Sequence, residues 1–543
     1  MPARAPAPGD RYVLAVDLGS TGVKIGLVSL TGEIALCELG VVTTRRSGDG
    51  ASTQDAGQWW ELITAAARRV MAAGVIRPEQ LVAASCTGQW ASTVPVDESG
   101  RPVGDCMLHD DTRGAPYSRA LIGGPVAGYA PRNILAWVRR TGGAPSPSGA
   151  DPIGHLLFLR HEMPAVYAAA RWFMEPVDYL TMRMTGVAAA THASMTAAWL
   201  TDNRRPGTLR YDAGLARRAG IDTGRLPPLR PVGSVVGVIP ERVAGELGVP
   251  AGLPVVTGLP DLHASVRGAG TMDDFQAHLA ISTTSWIGLS VPFKKTDVLR
   301  SIASVPGLGD GSYVVANNHE TGGRCLQWLH ETIVGAATTT ASDYERLVRR
   351  AETVPVGSHG VIFTPWLDGE RSPVDDRDAR AGFHNLSLTT TQDDLVRAVL
   401  EGVAYNNRWL HEAVERFAGR PLDPIRLIGG GARSDLWCQI HADVLGRTVE
   451  RVADPMNAGL RGQAVFAGLS LGAVRREDVR IGVDRVFTPD PAAGAEYERL
   501  YREFPGLYRS QRGMFRRLGR GARRTAAAPR PRRLIPAAAR RPR

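Results

Sequence analysis

The sequence predicts an α/β protein in which two large domains flank a central cleft. The chain has 543 residues, which is more than one hydrophobic core usually supports. Apolar, strand-like runs alternate along the chain with segments of helical periodicity. A strand-turn-strand pattern with hydroxyl residues in its turn occurs near the start and returns in the second half. These observations predict domains at residues 11–270 and 271–508, followed by a tail at residues 509–543.

The first half is expected to alternate short strands and helices. Residues 53 and 55 are cap candidates for its first helix, and Pro176 is expected to start a new helix. The predicted elements are a hairpin at residues 12–16 and 24–29 with a turn at residues 30–33, a helix at residues 58–73, a buried strand at residues 81–86, a loop at residues 136–148 and mostly helix at residues 165–184.

The second half is expected to begin with an apolar strand that ends in a turn bearing Asp261. Its other predicted elements are a hairpin at residues 278–282 and 288–291 and two amphipathic helices at residues 394–416 and 435–445. The hairpin repeats the pattern of the first one, which is what a duplicated phosphate-binding fold would leave.

Composition indicates an ordinary globular enzyme rather than a membrane or secreted protein. Apolar residues make up 43% of the chain and charged residues 22%. No apolar run approaches the roughly 20 residues needed to cross a bilayer, and the first residues lack the apolar core of a signal peptide. The five cysteines show no zinc or redox spacing. We therefore expect free thiols and a cytoplasmic location.

The net charge of +10 belongs to the end of the chain. Residues 509–543 contain 13 arginines and no Asp, Glu or Lys, so that the remainder is mildly acidic. The Arg/Pro/Ala-rich composition favours a disordered tail. The alternative is electrostatic binding of nucleic acid or of an acidic partner.

Two distant segments resemble the halves of an ATP-binding site. In residues 13–24 an apolar strand ends at Asp17, glycines allow close backbone approach to phosphate, and Ser20, Thr21 and Lys24 supply donors and charge. The alternative for this segment alone is an ordinary hairpin whose Asp prefers the turn. In residues 427–434 a strand enters a triple-glycine turn and then a helix. Together the two segments indicate an ATP-dependent kinase of actin-like architecture.

Seven motifs, in this order, resemble the FGGY family of carbohydrate kinases, and its xylulokinase branch in particular. The resemblance extends from about residue 13 to residue 471. The motifs are the phosphate motif at residues 17–24, the sugar loops at residues 87–90 and 108–113, the aspartate loop at residues 258–261, Gly-Glu-Arg-Ser-Pro at residues 369–373, the signature at residues 381–401 and the adenosine motif at residues 429–437.

The resemblance implies two ribonuclease-H-like domains that bind ATP and Mg²⁺ in the cleft and phosphorylate a sugar hydroxyl. Asp261 would be the general base, and Asp17 would hold Mg²⁺ through water. The expected contacts to ATP are Ser20, Thr21, Lys24, Thr283, Thr284, Gly430, Gly431 and Ala432. The expected contacts to the sugar are Gln89, Trp90, Asp111 and Asp261.

The chain departs from the family pattern at several positions. Ser282 and Ser285 replace glycines of the second phosphate motif, which would impair ATP binding if the backbone there needed positive φ or close approach. His155 and Phe158 replace a lysine and a tryptophan, and Asn385 replaces a glycine at a place where Asn tolerates a left-handed conformation. The alternative function is therefore a weak or inactive kinase that senses a sugar or nucleotide.

The first sugar loop argues against glycerol as the substrate. Trp90 and Ala91 stand where glycerol kinases carry Arg-Glu and xylulokinases carry Met-His. Trp90 is suited either to stacking on a sugar or to plain packing. His109 and Asp110 replace a usual Trp-Asn pair. We expect a ketose or polyol, xylulose-like but not necessarily D-xylulose, and the sequence leaves the oligomeric state open, a homodimer included.

Overall fold

The protein is described by a computed structural model, which covers residues 7, 9–126, 128–205, 207–309, 311–336 and 338–526. Its strands are β1 Tyr12–Leu18, β2 Gly22–Ser29, β3 Ile34–Val41, β4 Thr44–Arg46, β5 Ser52–Gln54, β6 Leu81–Gly88, β7 Val94–Val96, β8 Cys106–Met107, β9 Gly123–Val126, β10 Trp172–Met174, β11 Ala190–Thr191, β12 Leu229–Arg230, β13 Val235–Val238, β14 Pro254–Val256, β15 Leu259–Pro260, β16 Ala277–Ile281, β17 Ser285–Val291, β18 Thr296–Asp297, β19 Ile302–Pro306, β20 Tyr313–Ala316, β21 Ile362–Thr364, β22 Gly382–His384, β23 Ile425–Ile428, β24 Val449–Val452 and β25 Val483–Phe487.

Apart from the last two, the helices of the described residues lie between single strands or groups of strands. They are α1 Ala56–Ala72, α2 Ala115–Ile122, α3 Pro131–Thr141, α4 Pro152–Glu162, α5 Pro164–Ala169, α6 Pro176–Thr185, α7 Ala213–Ala219, α8 Glu241–Leu247, α9 Asp261–Gly268, α10 Arg324–Trp328, α11 Ala341–Glu352, α12 Gln392–Ala418, α13 Asp435–Leu445, α14 Ala458–Ser470, α15 Pro491–Tyr501 and α16 Phe504–Ala526.

A seven-stranded sheet forms the centre of the first half. Its strand order is β13-β14-β6-β1-β2-β3, and β15 continues beside β6. Strand β1 runs antiparallel to β2 and parallel to β6, so that β1 is central. Every residue of β1 except Asp17 is buried, in agreement with its uncharged sequence. The strand thus places one carboxylate, that of Asp17, near its carboxyl-terminal end in an otherwise buried segment.

An eight-stranded sheet in the second half repeats this local arrangement. Its order is β18-β19-β20-β17-β16-β23-β24-β25. Strand β16 runs antiparallel to β17 and parallel to β23, just as β1 runs against β2 and alongside β6. The two hairpins expected from the sequence are therefore present, and each lies at the centre of its own sheet.

Helix α14 follows the second sheet in sequence but packs against the first. Leu460 and Ala464 of α14 are buried in the same cluster as Val13 and Ala15 of β1. At the crossing with α9, a Cβ on Gly268 or Gly462 would collide with a backbone carbonyl of the opposite helix. Glycine is required there because the two helices cross at backbone contact. The predicted division at residue 270 takes no account of this return of the chain.

Three predicted elements differ from the structure. The turn of the first hairpin lies at residues 19–21, because β1 is two residues longer than expected, and residues 30–33 instead join β2 to β3. Part of the predicted loop at residues 136–148 is the end of α3, where Trp137 is buried. Residues 165–184 are interrupted by β10, which pairs with β7 before α6 starts at Pro176 as expected.

The prediction that disorder begins at residue 509 is wrong for residues 509–526. These residues continue α16, whose side chains Phe504, Tyr508 and Phe515 are buried around Trp366 of the second half. Their spacing of four and seven residues places the three aromatic side chains on one face of the helix, an apolar face that the arginine content of the segment conceals. The prediction for residues 527–543 lies outside the described residues. Among the helices of the described residues, none is long and apolar enough to span a membrane.

Candidate functional site

A cleft of about 2110 Å³ lies between the two sheets. It is lined by the segments that the sequence analysis singled out in both halves of the chain. They are the first turn with Asp17, the sugar loop with Gln89 and Trp90, the start of α9 with Asp261, the second turn at residues 282–284 and the glycine turn at residues 429–431. The fold therefore brings residues more than 400 positions apart to one cavity.

Asp261 stands at the first position of α9, directly after β15. Its Oδ1 accepts the backbone N–H of Leu262 at 2.8 Å, and its side chain lines the cleft. Burial, with a smaller contribution from the nearby charge of Asp17, raises the pKa of the Asp261 carboxyl to about 7, although the hydrogen bond from the Leu262 N–H lowers it. A carboxylate of this kind accepts a proton near neutral pH more readily than an exposed aspartate does.

Asp17 and Lys24 lie opposite each other in the first hairpin, where β1 and β2 pair them in register. Lys24 Nζ is 3.6 Å from Asp17 Oδ2 and donates a hydrogen bond to the carbonyl oxygen of Met456 at 2.5 Å. Lys24 therefore links the first hairpin to the second half of the chain. Ser20 and Thr21 line the cleft at the tip of the same hairpin.

The surroundings of Asp17 fit a hydrated Mg²⁺ ion. A Cβ on Gly459 would lie 2.7 Å from Asp17 Oδ2, so that only a glycine leaves space beside the carboxylate. Among the described residues there is no cluster of three or more His, Cys, Asp or Glu side chains arranged to bind a metal. One or two carboxylates, completed by water and phosphate oxygens, form the usual site for Mg²⁺ in phosphate-transferring enzymes.

The second turn does not need the glycines that the family pattern led us to expect. Neither Ser282 nor Ser285 is among the residues with positive φ. The Ser285 hydroxyl is buried and bonds to the carbonyl of Ala280 at 2.8 Å and to Asn407 Oδ1 at 2.9 Å. Thr283 and Thr284 line the cleft beside them. The serines therefore fit the turn without backbone strain.

The residues of the glycine turn after β23 differ in whether they line the cleft. Gly429 has φ +90°, a conformation that favours glycine. A Cβ on Gly430 would meet open space, whereas Gly431 packs against Ile281 and Trp437. Ala432 is fully buried, and its carbonyl accepts the Cys438 thiol at 3.2 Å. Gly430 and Gly431 line the cleft as expected, but Ala432 lies behind its wall.

The first sugar loop contains a buried acceptor without a partner in a residue that lines the cleft. Gln89 is buried, and its Nε2 donates to Gln54 Oε1 at 2.9 Å, while its Oε1 has no partner within the described part of the chain. The Trp90 indole N–H donates to the carbonyl of Ser194 at 2.7 Å, and its ring meets His263 edge-on. Trp90 is thus packed and is also part of the cleft wall, and its stacking on a sugar stays a prediction.

The second sugar loop places Asp110, rather than Asp111, in the cleft. Asp111 is fully buried, accepts the Ser52 N–H and pairs with Arg113 at 2.6 Å. Asp110 lines the cleft, where its Oδ2 pairs with Arg46 at 3.1 Å and its Oδ1 has no partner among the described residues. The substitution of Asp for the usual Asn was the sequence signal for this position.

Arg371 is a further cleft residue to which sequence reasoning gave no role. Its guanidinium pairs with Glu320 at 2.8 Å and lies near His109 of the second sugar loop. Burial lowers the pKa of His109, and Asp110 opposes this effect. The Gly-Glu-Arg-Ser-Pro motif of the second half thus reaches a sugar loop of the first half. Asn385, in the following signature, has φ +64°, which confirms the left-handed conformation expected for it.

The fold and the cleft are those of a phosphotransferase with two halves, whose central turns both line the cleft. The family model for the N-terminal domain of the FGGY family of carbohydrate kinases matches residues 12–268, and the model for the C-terminal domain matches residues 276–471. The chain belongs to the FGGY family of carbohydrate kinases. It is therefore a sugar kinase with two actin-like ATPase-fold domains, and kinases of this family use ATP as the phosphate donor.

Relatives of known activity resemble the chain over nearly its whole length. A xylulose kinase of Staphylococcus epidermidis is 27% identical over 510 residues, which cover 92% of this chain and 96% of that protein. An L-xylulose/3-keto-L-gulonate kinase of Escherichia coli is 25% identical over 521 residues, covering 94% and 99%. The crystal structure of xylulose kinase from Rhodospirillum rubrum superposes with a TM-score of 0.77 at 28% identity, covering 93% of this chain and all of that chain.

Proposed function

We propose that the protein transfers the γ-phosphoryl group of ATP to a hydroxyl of a neutral ketose or polyol, with Asp261 as the general base. The observation that carries this proposal is the position of Asp261. Its carboxyl lines the cleft at the start of α9, and its pKa is raised to about 7, chiefly by burial. A base needs such a pKa to be deprotonated at neutral pH and still accept a proton.

Asp261 takes the proton of the sugar hydroxyl as the oxygen attacks phosphorus. Phosphoryl transfer of this kind depends mainly on positioning and on neutralisation of charge. Asp17 would hold Mg²⁺ through water, and the bound ion would neutralise charge on the phosphates. The negative charge of Asp17 itself supports proton acceptance, because it opposes ionisation of Asp261.

The expected contacts to ATP come from both halves of the cleft. Ser20 and Thr21 line it from the first turn and Thr283 and Thr284 from the second. Gly430 leaves open space in which an adenosine would lie against backbone. Closure of the two domains around ATP would exclude water from the reacting phosphate.

The sugar contacts favour hydroxyl groups over a carboxylate. Gln89 Oε1 and Asp110 Oδ1 are buried acceptors without a hydrogen-bond partner among the described residues, and both residues line the cleft, so that a small shift of either side chain would bring its acceptor to a bound sugar. Each is suited to a hydroxyl donor, since neither has a proton to offer in these positions. An acidic sugar would place its own negative charge near Asp110 and Asp261. The printed names of the two curated relatives include both xylulose and a keto-gulonate, so that the distinction matters for this family.

The test is ADP release by the purified protein with Mg-ATP against ketoses, pentitols, glycerol, aldoses and sugar acids. We expect a signal with a ketose or polyol that falls at least about a thousandfold in Asp261→Asn, because the base is lost. Asp273→Asn is the matched control, since Asp273 is an exposed acid paired with Arg476. Turnover retained in Asp261→Asn would refute the base assignment. Sugar binding with no ADP release from any sugar would instead favour the sensing protein.

A further inference from the structure

Helix α16 lies beyond both matched family models and returns to the cleft. The C-terminal family model ends at residue 471, whereas α16 starts at Phe504. Phe504, Tyr508 and Phe515 pack their rings around Trp366. On the same helix, Tyr508, Arg512 and Arg516 line the cleft. The helix is therefore anchored by an aromatic cluster and forms part of the cleft wall.

The hydroxyl of Tyr508 makes one hydrogen bond that leads from α16 into the Gly-Glu-Arg-Ser-Pro motif. It donates to Asp376 Oδ2 at 3.0 Å. Asp376 and Glu370 exchange two backbone hydrogen bonds of 2.9 Å each, which close a small hairpin over residues 370–376. The other carboxylate oxygen of Asp376 accepts the N–H of Asp378 at 3.0 Å. Tyr508 thus binds the end of the hairpin that carries the motif.

The hairpin sets the direction of Arg371. The buried carboxylate of Glu370 accepts the Arg371 N–H at 2.9 Å and the amide of Asn406 at 2.6 Å. The side chain of Arg371 extends from the hairpin and pairs with Glu320 at the cleft. Its guanidinium is close enough to His109 to influence the charge state of the imidazole. Hydrogen bonds and an ion pair therefore link α16 to Arg371, whose charge acts on His109 of the sugar loop in the opposite half.

We propose that Tyr508 is a positioning residue for the sugar site. Through its bond to Asp376 it holds the hairpin of residues 370–376, and this hairpin places Arg371 against the second sugar loop. The sugar side of the cleft is therefore incomplete without α16. This inference rests on the proposed function, because it assigns the His109 and Asp110 side of the cleft to the sugar.

The substitution Tyr508→Phe removes the hydroxyl and keeps the ring among its aromatic neighbours. We expect the KM for the sugar to rise about threefold to tenfold with the KM for ATP unchanged, because the lost hydrogen bond holds the hairpin of Arg371 and none of the residues expected to contact ATP. Tyr405→Phe is the matched control, since the buried Tyr405 hydroxyl has no partner within the described residues and its ring packs on Phe504. A merely structural role would change both KM values alike or lower only the melting temperature.

Two further measurements test the inference, and the first of them does not depend on turnover. In Tyr508→Phe the amides of Glu370 and Asp376 should exchange hydrogen faster, whereas they should not change in Tyr405→Phe. This holds even if no sugar is phosphorylated, so that a failure of the proposed function is recognised separately. In a double-mutant cycle with Asp376→Asn, the effects on sugar KM should be less than additive. Unchanged exchange at residues 370–376, or additive effects in the cycle, would overturn the proposal.

Discussion

The two phosphate turns occupy equivalent places in their sheets but are built differently. The first turn follows Asp17 and is bounded by Gly19 and Gly22, whose backbones bond to each other at 2.8 Å. The second, at residues 282–284, has no glycine and no acid, and its Ser282 N–H donates to the Thr284 carbonyl at 2.9 Å. The first turn thus supplies charge to the cleft, and the second supplies only hydroxyl and amide donors.

The glycines that allow close backbone approach lie in different segments around the two turns. In the first hairpin, a Cβ on Gly22 would lie 2.8 Å from the carbonyl oxygen of Gly40 on the adjacent strand. In the second, the glycines are in the segment before α10. Gly322 and Gly323 donate to the carbonyls of Thr283 and Ser282 at 2.9 and 2.7 Å. A turn that lacks glycine can therefore keep its backbone position when a neighbouring segment provides the close approach.

The largest expected effect comes from removing the Asp17 charge before the first turn, because the second turn has no such charge. Asp17→Asn should lower kcat about a hundredfold to a thousandfold, because the carboxylate proposed to hold hydrated Mg²⁺ is lost and the second turn has no acid to replace it. The measurement is kcat over a range of Mg²⁺ concentrations, and the required Mg²⁺ concentration should rise. The matched control is Asp49→Asn, at an exposed acid in the same half. A kcat that stays at the wild-type value would contradict the metal assignment.

The residual activity of Asp17→Asn also tests the electrostatic coupling to Asp261. Burial is the main cause of the raised pKa of Asp261, and the charge of Asp17 adds to it. Since the base must be ionised, kcat/KM of the wild type should fall about tenfold per pH unit below the pKa of about 7. In Asp17→Asn this acidic limb should move to lower pH, because the like charge is absent. A limb at the same pH would mean that another group titrates.

A smaller effect is expected from a substitution of Gly322, whose backbone N–H donates a hydrogen bond to the second turn. A Cβ in Gly322→Ala would lie 2.7 Å from the Thr284 carbonyl oxygen, which is a backbone atom with no freedom to rotate away. We expect the KM for ATP to rise about tenfold and the unfolding free energy to fall by about 1–3 kcal/mol, as in other overpacked sites. Gly309→Ala is the control, since its Cβ would meet open space. An unchanged KM for ATP would show that the turn can shift freely.

The sequence predicted the parts of the site that depend on local pattern. Both hairpins follow from short apolar runs, although the turn of the first was predicted at the wrong residues, and α13 begins and ends at residues 435 and 445 as expected. The expectation that Asp261 follows a strand at a turn is also confirmed, since the residue starts α9 beside Asp17. These features are set by residues close in the chain, so that periodicity and turn chemistry suffice to find them.

The parts that the sequence did not reveal depend on distant contacts. The choice between Asp110 and Asp111 is made by Arg113 and Ser52, which bind Asp111 beneath the cleft. The crossing of α14 with α9 needs Gly268 and Gly462, which lie nearly 200 residues apart in the chain. Helix α16 is stable because of aromatic partners in another segment, and arginine content alone suggested disorder. The binding role suggested for the arginine-rich end stays a prediction.

The substitution with the smallest expected effect, Ser282→Gly, is the most informative about the alternative function, a weak or inactive kinase that senses a sugar or nucleotide. Ser282→Gly restores the family residue at a position where φ is already ordinary. We expect the KM for ATP to change less than about twofold and the unfolding free energy to fall by about 0.5–1 kcal/mol, because glycine loses more conformational freedom on folding. Ser285→Gly should cost more stability, since it removes the hydroxyl bonded to Asn407. A tenfold gain in ATP affinity in Ser282→Gly would mean that the serine impairs the turn, and it would restore the case for a weak or sensing member of the family.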